Sequence, residues 1–140
     1  MSKILALDVG EKTIGIALSD NERRYALQGE TIRRNGNPKE DMATLRELIL
    51  KNDITEIVVG LPTNKDGTKN VSTERVETFV AKLRGSVRIP IHYEDETLTT
   101  WEATQEMLAS GKKREVHKAT IDSVAAVFIL EAFLHRLQYK

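Results

Sequence analysis

Three acidic residues of this sequence stand where they could hold a divalent cation. Asp8 follows the apolar run Ile4-Leu5-Ala6-Leu7 and precedes Val9-Gly10. Glu96 ends the acidic run Glu94-Asp95-Glu96, after the alternating segment Val87 to Tyr93. Asp122 lies near the start of a long amphipathic stretch, beside Ile121 and ahead of Val124, Ala125 and Ala126. Carboxylate and water oxygens are the preferred ligands of hard ions such as Mg²⁺ and Mn²⁺. Without a cation, three like charges in one pocket repel and at least one pKa rises. Two such ions about 3.5–4 Å apart activate water and stabilise the leaving oxygen of a phosphodiester. The expected chemistry is metal-assisted hydrolysis, with Asp8, Glu96 and Asp122 as catalytic and metal-holding groups. Simpler roles stand beside this one. Asp8 before glycine can cap a turn. Asp122 is favoured by the helix dipole alone, or by Lys118 four residues earlier. Glu96 can be a solvated strand end, with Glu94 or Asp95 as the functional acid instead.

The elements that must position these acids follow from hydrophobic patterning. Near-continuous apolar runs predict strands over residues 3–9 and 13–19, covered on both faces. Gly10-Glu11-Lys12 is too short for a parallel crossover, so the two form a hairpin. A third strand is expected from Tyr25 to Arg33. Asn37-Pro38-Lys39-Glu40 opens a helix, with Asn37 as N-cap and Glu40 at the capping-box position. Glu56 to Gly60 forms a fourth strand. A turn-rich loop, Leu61 to Asn70, leads to a helix with Val76, Phe79, Val80 and Leu83 on one face, ended by Gly85. Val87 to Tyr93 predicts a fifth strand, and Pro90 places it at a sheet edge. Thr99-Thr100-Trp101-Glu102 reads as a capping box for a helix that stops at Gly111. The last helix covers Lys118 to Leu137. The expected fold is α/β, a mixed five-stranded sheet of three antiparallel strands then two parallel ones, with helices on both faces. In such sheets ligands sit beyond the carboxyl ends of the parallel strands, where Asp8 and Glu96 fall.

At 140 residues, one domain over residues 1–140 is expected. Cysteine is absent, which excludes a cysteine zinc site and any dependence on disulfides. No apolar run reaches the ~20 residues of a membrane helix. Met-Ser-Lys leads straight into the first strand, so no cleavable leader is expected and the cytoplasm is the natural compartment. Basic and acidic residues balance at 21 each, which disfavours general nucleic-acid binding and leaves only local patches. Lys112, Lys113, Arg114 and Lys118 cluster just ahead of Asp122 and could meet phosphates, with a salt-dependent affinity. A solvated linker is the plainer reading of that run. Asn64, Lys65 and Lys69 could guide a strand from the loop after Gly60, and Arg23-Arg24 and Arg33-Arg34 are weaker candidates. Trp101 is expected to pack rather than stack. His92, His117 and His135 lack ligand spacing. Recognition of shape or backbone is expected, rather than base readout.

Four segments, Leu5–Asp20, Val58–Thr68, Glu94–Thr100 and Lys118–Leu130, resemble the YqgF/RuvX family of Holliday-junction-resolvase-like nucleases in the ribonuclease-H-like superfamily. They match in order and span nearly the whole chain. The resemblance implies a ribonuclease-H-like fold and a divalent metal site built from Asp8, Glu96 and Asp122. It implies processing of the 5′ end of pre-16S ribosomal RNA, or cutting of branched DNA. Thr97 departs from the family, which usually has arginine there; the loss should weaken substrate binding rather than metal binding. Other classes compete. Asp8-x-Gly10 with Gly15 also resembles the phosphate loop of the actin, heat-shock ATPase and sugar-kinase superfamily, although no second phosphate loop is found. A non-catalytic RNA-binding module for ribosome assembly is the third reading, but binding alone gains nothing from three carboxylates facing phosphate. The chain shows no obvious apolar surface for a dimer, so a monomer or weak homodimer is expected.

Overall fold

The computed structural model describes residues 2–97 and 118–138, with side chains described for 2–95 and 124–138. The elements in chain order are β1 (Lys3–Val9), β2 (Thr13–Ser19), β3 (Ala26–Gln28), β4 (Ile32–Arg33), α1 (Pro38–Lys51), β5 (Ile54–Thr63), α2 (Val71–Ser86), β6 (Ile91–Thr97) and α3 (Lys118–Gln138). They form a 6-stranded sheet in the order β3-β2-β1-β5-β6, with β4 also pairing β2. β1 and β2 are antiparallel, whereas β1, β5 and β6 run parallel. The expected third strand is therefore two short ones. Gly29 lies between them, packed so tightly on β2 that an added Cβ would sit 2.8 Å from the Ile16 side chain. Its N–H donates to the Ile16 carbonyl, 2.8 Å away.

Among the described residues the helix-start signals act as their chemistry dictates, with one exception, whereas Gly85, expected to end the second helix, lies inside α2 and Val87 is its C-cap. Asn37 caps α1 by accepting from the Lys39 N–H, and Pro38 begins the helix. Glu40 does not complete a capping box: its carboxylate accepts from the Asn35 amide, and the Asn37 N–H donates to Asn35 Oδ1. α2 has a complete reciprocal cap between Asn70 and Thr73. Pro90 directly precedes β6, the sheet's outer strand. It has no N–H to give, but its carbonyl accepts from Ile57 N–H at 2.9 Å.

Strand alternation divides the core in two. Leu5, Leu7, Ile14, Ile16, Ile57 and Val59 meet Leu45 of α1 and Phe79 and Leu83 of α2. Ile4, Ala6, Ala17 and Val58 meet Ala126, Ile129, Leu130 and Phe133 of α3. The expected helix at residues 99–111, Trp101 and the basic run before α3 lie outside the described residues. Among the described residues, no helix is long and apolar enough to cross a membrane.

Candidate active site

Asp8 is the next-to-last residue of β1, half-buried, and pairs with Gly15 of β2. Ile4 and Ala6 face α3, so alternation puts Asp8 on that same side. Leu7 pairs with Val59 and Gly60 pairs with Glu94. Asp8, Gly60 and Glu94 therefore form one row across three parallel strands, and the outer two backbones are about 10 Å apart. Glu96 stands two residues further along β6, opposite Pro62. Asp122 lies within the second turn of α3. It is one turn before the buried Ala125 and Ala126, and two turns, about 10 Å, before Ile129.

Gly60 explains how α3 comes so near. A Cβ at that position would sit 2.5 Å from Ile129 Cδ1. The missing side chain lets Ile129 settle on β5 immediately beside Asp8, while Ala6, Ala17, Ala125 and Ala126 keep the rest of the approach short. Asp8 and Glu96 thus lie at the carboxyl ends of parallel strands and Asp122 on the helix that covers one face of the sheet, while the contacts of α3 with β6 come from its later turns, through Phe133 and Arg136. The side chains of Glu96 and Asp122, together with Lys112, Lys113, Arg114 and Lys118, lie outside the described residues. Among the described residues no group of three His, Cys, Asp or Glu side chains is placed to hold a metal.

Glu94, open as an alternative to Glu96, has a structural partner. It is buried and ion-paired with Arg136 in the last turn of α3. Burial pushes its carboxyl above the ordinary carboxylate range, against the opposing pull of Arg136. Asp95 is exposed. The His92 ring packs on Phe133, 5.3 Å between centroids, so it is a core-edge group.

The loop after β5 is built from its own side chains. Asn64 donates to Thr68 Oγ1 and accepts from the Asn70 amide, each at 3.0 Å. Thr73 donates its hydroxyl hydrogen to the Pro62 carbonyl. Lys69 pairs with Glu77 at 3.0 Å, which holds its pKa above the ordinary lysine value. Lys65 is left exposed at the tip. Asn64 thus shapes the loop, and Lys65 is the residue it presents. Two of the weaker basic candidates also have internal partners. Arg23 bonds Ser2 and Thr55 and pairs with Glu56. Arg34 pairs with Asp41, a buried acid that patterning did not single out. Its only sequence signal is its place in the first turn of α1, where the dipole favours a carboxylate.

The chain is similar to known proteins over nearly its whole length. Residues 2–136 match the family described as RuvX, Holliday junction resolvase. A protein of Moorella thermoacetica named "Putative pre-16S rRNA nuclease" is 42% identical over 135 residues, covering 96% of each chain. One of the same name from Halalkalibacterium halodurans is 43% identical over 139 residues, covering 99% of each. In fold, the chain is similar to T. thermophilus RuvC solved with a Holliday junction substrate, at a TM-score of 0.58 and 14% identity, covering 98% of this chain and 96% of that one. Matched from end to end in this way, the chain belongs to the RuvX family.

Proposed function

We propose that this protein is a metal-dependent endonuclease for structured nucleic acid, acting first on the 5′ end of pre-16S ribosomal RNA and second on branched DNA. The observation that carries the proposal is the contact of Ile129 with the side-chain-free Gly60. It brings α3 against the strand beside Asp8, two turns from position 122. The names of the full-length relatives support the RNA substrate.

In this reading Asp8, Glu96 and Asp122 hold Mg²⁺ or Mn²⁺ as a two-ion site. The donor chemistry fits: carboxylates alone suit hard cations. Asp8 lies at a strand end where its neighbour on β5 has no side chain. When bound, the ions supply an activated water and charge stabilisation for the departing oxygen. The chain's own residues do the rest. Asp8 anchors the site on the central strand of the sheet, and Gly60 and the alanines set the distance from α3. Lys65, on the loop shaped by Asn64, and Lys112, Lys113, Arg114 and Lys118 contact the phosphate backbone. The unit is a single nuclease domain of residues 1–140 working in the cytoplasm, as a monomer or weak homodimer.

Purified protein is assayed with Mg²⁺ or Mn²⁺ on a pre-16S leader fragment and on a four-way DNA junction. Asp8→Asn and Asp122→Asn should each lower the cleavage rate at least ~100-fold while substrate affinity stays within a few-fold. Variants that cut as fast as the parent would remove the mechanism. Binding without any cutting by the parent would favour a carrier role in ribosome assembly.

A further inference from the structure

The turn that follows Asp8 is gripped from outside by one residue. Gly10-Glu11-Lys12 joins β1 to β2, and its internal bond is Gly10 N–H to the Thr13 carbonyl at 2.8 Å. Arg34 enters at the end of β4 and bonds both ends of this loop. Its backbone N–H donates to the Lys12 carbonyl at 2.8 Å. Its guanidinium donates through Nη1 to the Gly10 carbonyl at 2.8 Å. The same guanidinium donates through Nε to Asp41 Oδ2 at 3.0 Å and lies 5.4 Å from the Phe79 ring centroid. One side chain thus ties the loop to both α1 and α2.

We infer that Arg34 is a positioning residue for the reaction, holding the Asp8 end of β1 at a fixed height through the Gly10 carbonyl. The inference rests on the nuclease reading for its consequence and on geometry alone for the anchoring. Stability is a weak reason for such an arrangement, because a buried ion pair rarely outperforms well-packed apolar groups. Placement is a better one. A planar fork can satisfy a carboxylate and a carbonyl together, which a single ammonium cannot do in the same way. Supporting residues matter at such sites because an error of about 1 Å in a reacting group can cost ~100-fold in rate. Asp41 is 3% exposed, so the anchor itself is shielded from water.

The full-length protein carrying Arg34→Lys tests this. The charge beside Asp41 is kept and the fork is lost. Exchange of the Gly10 amide hydrogen should accelerate at least ~10-fold, while amides in the middle of β1 and β5 keep the parent's protection. The kcat for Mg²⁺-dependent cleavage should fall about 10-fold, with KM within ~3-fold. Arg34→Met combined with Asp41→Leu should show the same pattern without leaving an unpaired buried charge, and it serves if the lysine variant does not fold. Parent-like exchange at Gly10 overturns the inference. So does fast exchange with undiminished cleavage, since the loop would then be irrelevant to the site. If the parent itself does not cut either substrate, the nuclease reading has failed, and the Gly10 exchange rate alone decides whether Arg34 anchors the loop.

Discussion

The two sides of the sheet are packed on different principles. Under α1 and α2 the space is filled by large side chains, among them Leu5, Leu7, Ile16, Leu45, Phe79 and Leu83. Under α3 large side chains are buried too, Ile4 and Val58 against Ile129, Leu130 and Phe133, but small residues stand among them: Ala6, Ala17 and the bare backbone of Gly60 on the sheet, Ala125 and Ala126 on the helix. The ion pairs differ in the same sense. Arg34 and Asp41 are 18% and 4% exposed in their side chains, locked between loop and helices. Arg136 and Glu94 are 59% and 10% exposed, at the rim. A thick apolar layer holds the fold, whereas a thin one lets a helix come close to a strand-end carboxylate. Asp8 is on the thin side.

Three substitutions test this contrast, in falling order of effect. Leu45→Ala opens a cavity on the thick side and should cost 2–5 kcal/mol, about the loss typical of buried leucine. The denaturant midpoint at constant m-value measures it. Gly60→Ala overfills the thin side, where Ile129 can partly swing away, and should cost about 1–3 kcal/mol. At temperatures where that variant is fully folded, cleavage should still drop ~10-fold, because α3 is lifted from the strand beside Asp8. A stability loss with unaltered cleavage would show that close approach serves packing only. Arg136→Ala should cost only about 1 kcal/mol, since water reaches the rim and can replace much of the pair. A penalty as large as that of Leu45→Ala would place the rim pair among the main supports of α3 and erase the contrast.

Local chemistry made much of this legible. Two apolar runs and a three-residue connection are enough to require the β1–β2 hairpin. Asn37-Pro38 marks a helix start because Asn37 supplies a missing acceptor for an exposed N–H group; Asn70 caps α2 in the same way, although in sequence it only closed a turn-rich loop. Pro90 marks an edge because it cannot donate to a ladder. Gly29 was not legible in the same way. It lies between the two short strands with its backbone close against Ile16, a contact between residues far apart in the chain. Asp41 was equally silent: its partner Arg34 arrives from another element, and spacing along one helix says nothing about that. Glu94 gave no sign in sequence of its partner either: the last turn of α3 brings Arg136 to it from 42 positions away.

By itself, the order of residues determined most of the described strands and helices, though not the break at Gly29 or the shift of the last strand from the expected Val87–Tyr93 to Ile91–Thr97. Those elements depend on neighbours within a few positions, where periodicity, caps and turn residues act. Only the tertiary structure decided that Asp8, Gly60 and Glu94 share a row, that α3 rests on Gly60, and that Arg34 is spent on a loop rather than exposed to a phosphate. Register and helix approach are settled by packing between distant segments, and packing depends on the shapes of both partners at once.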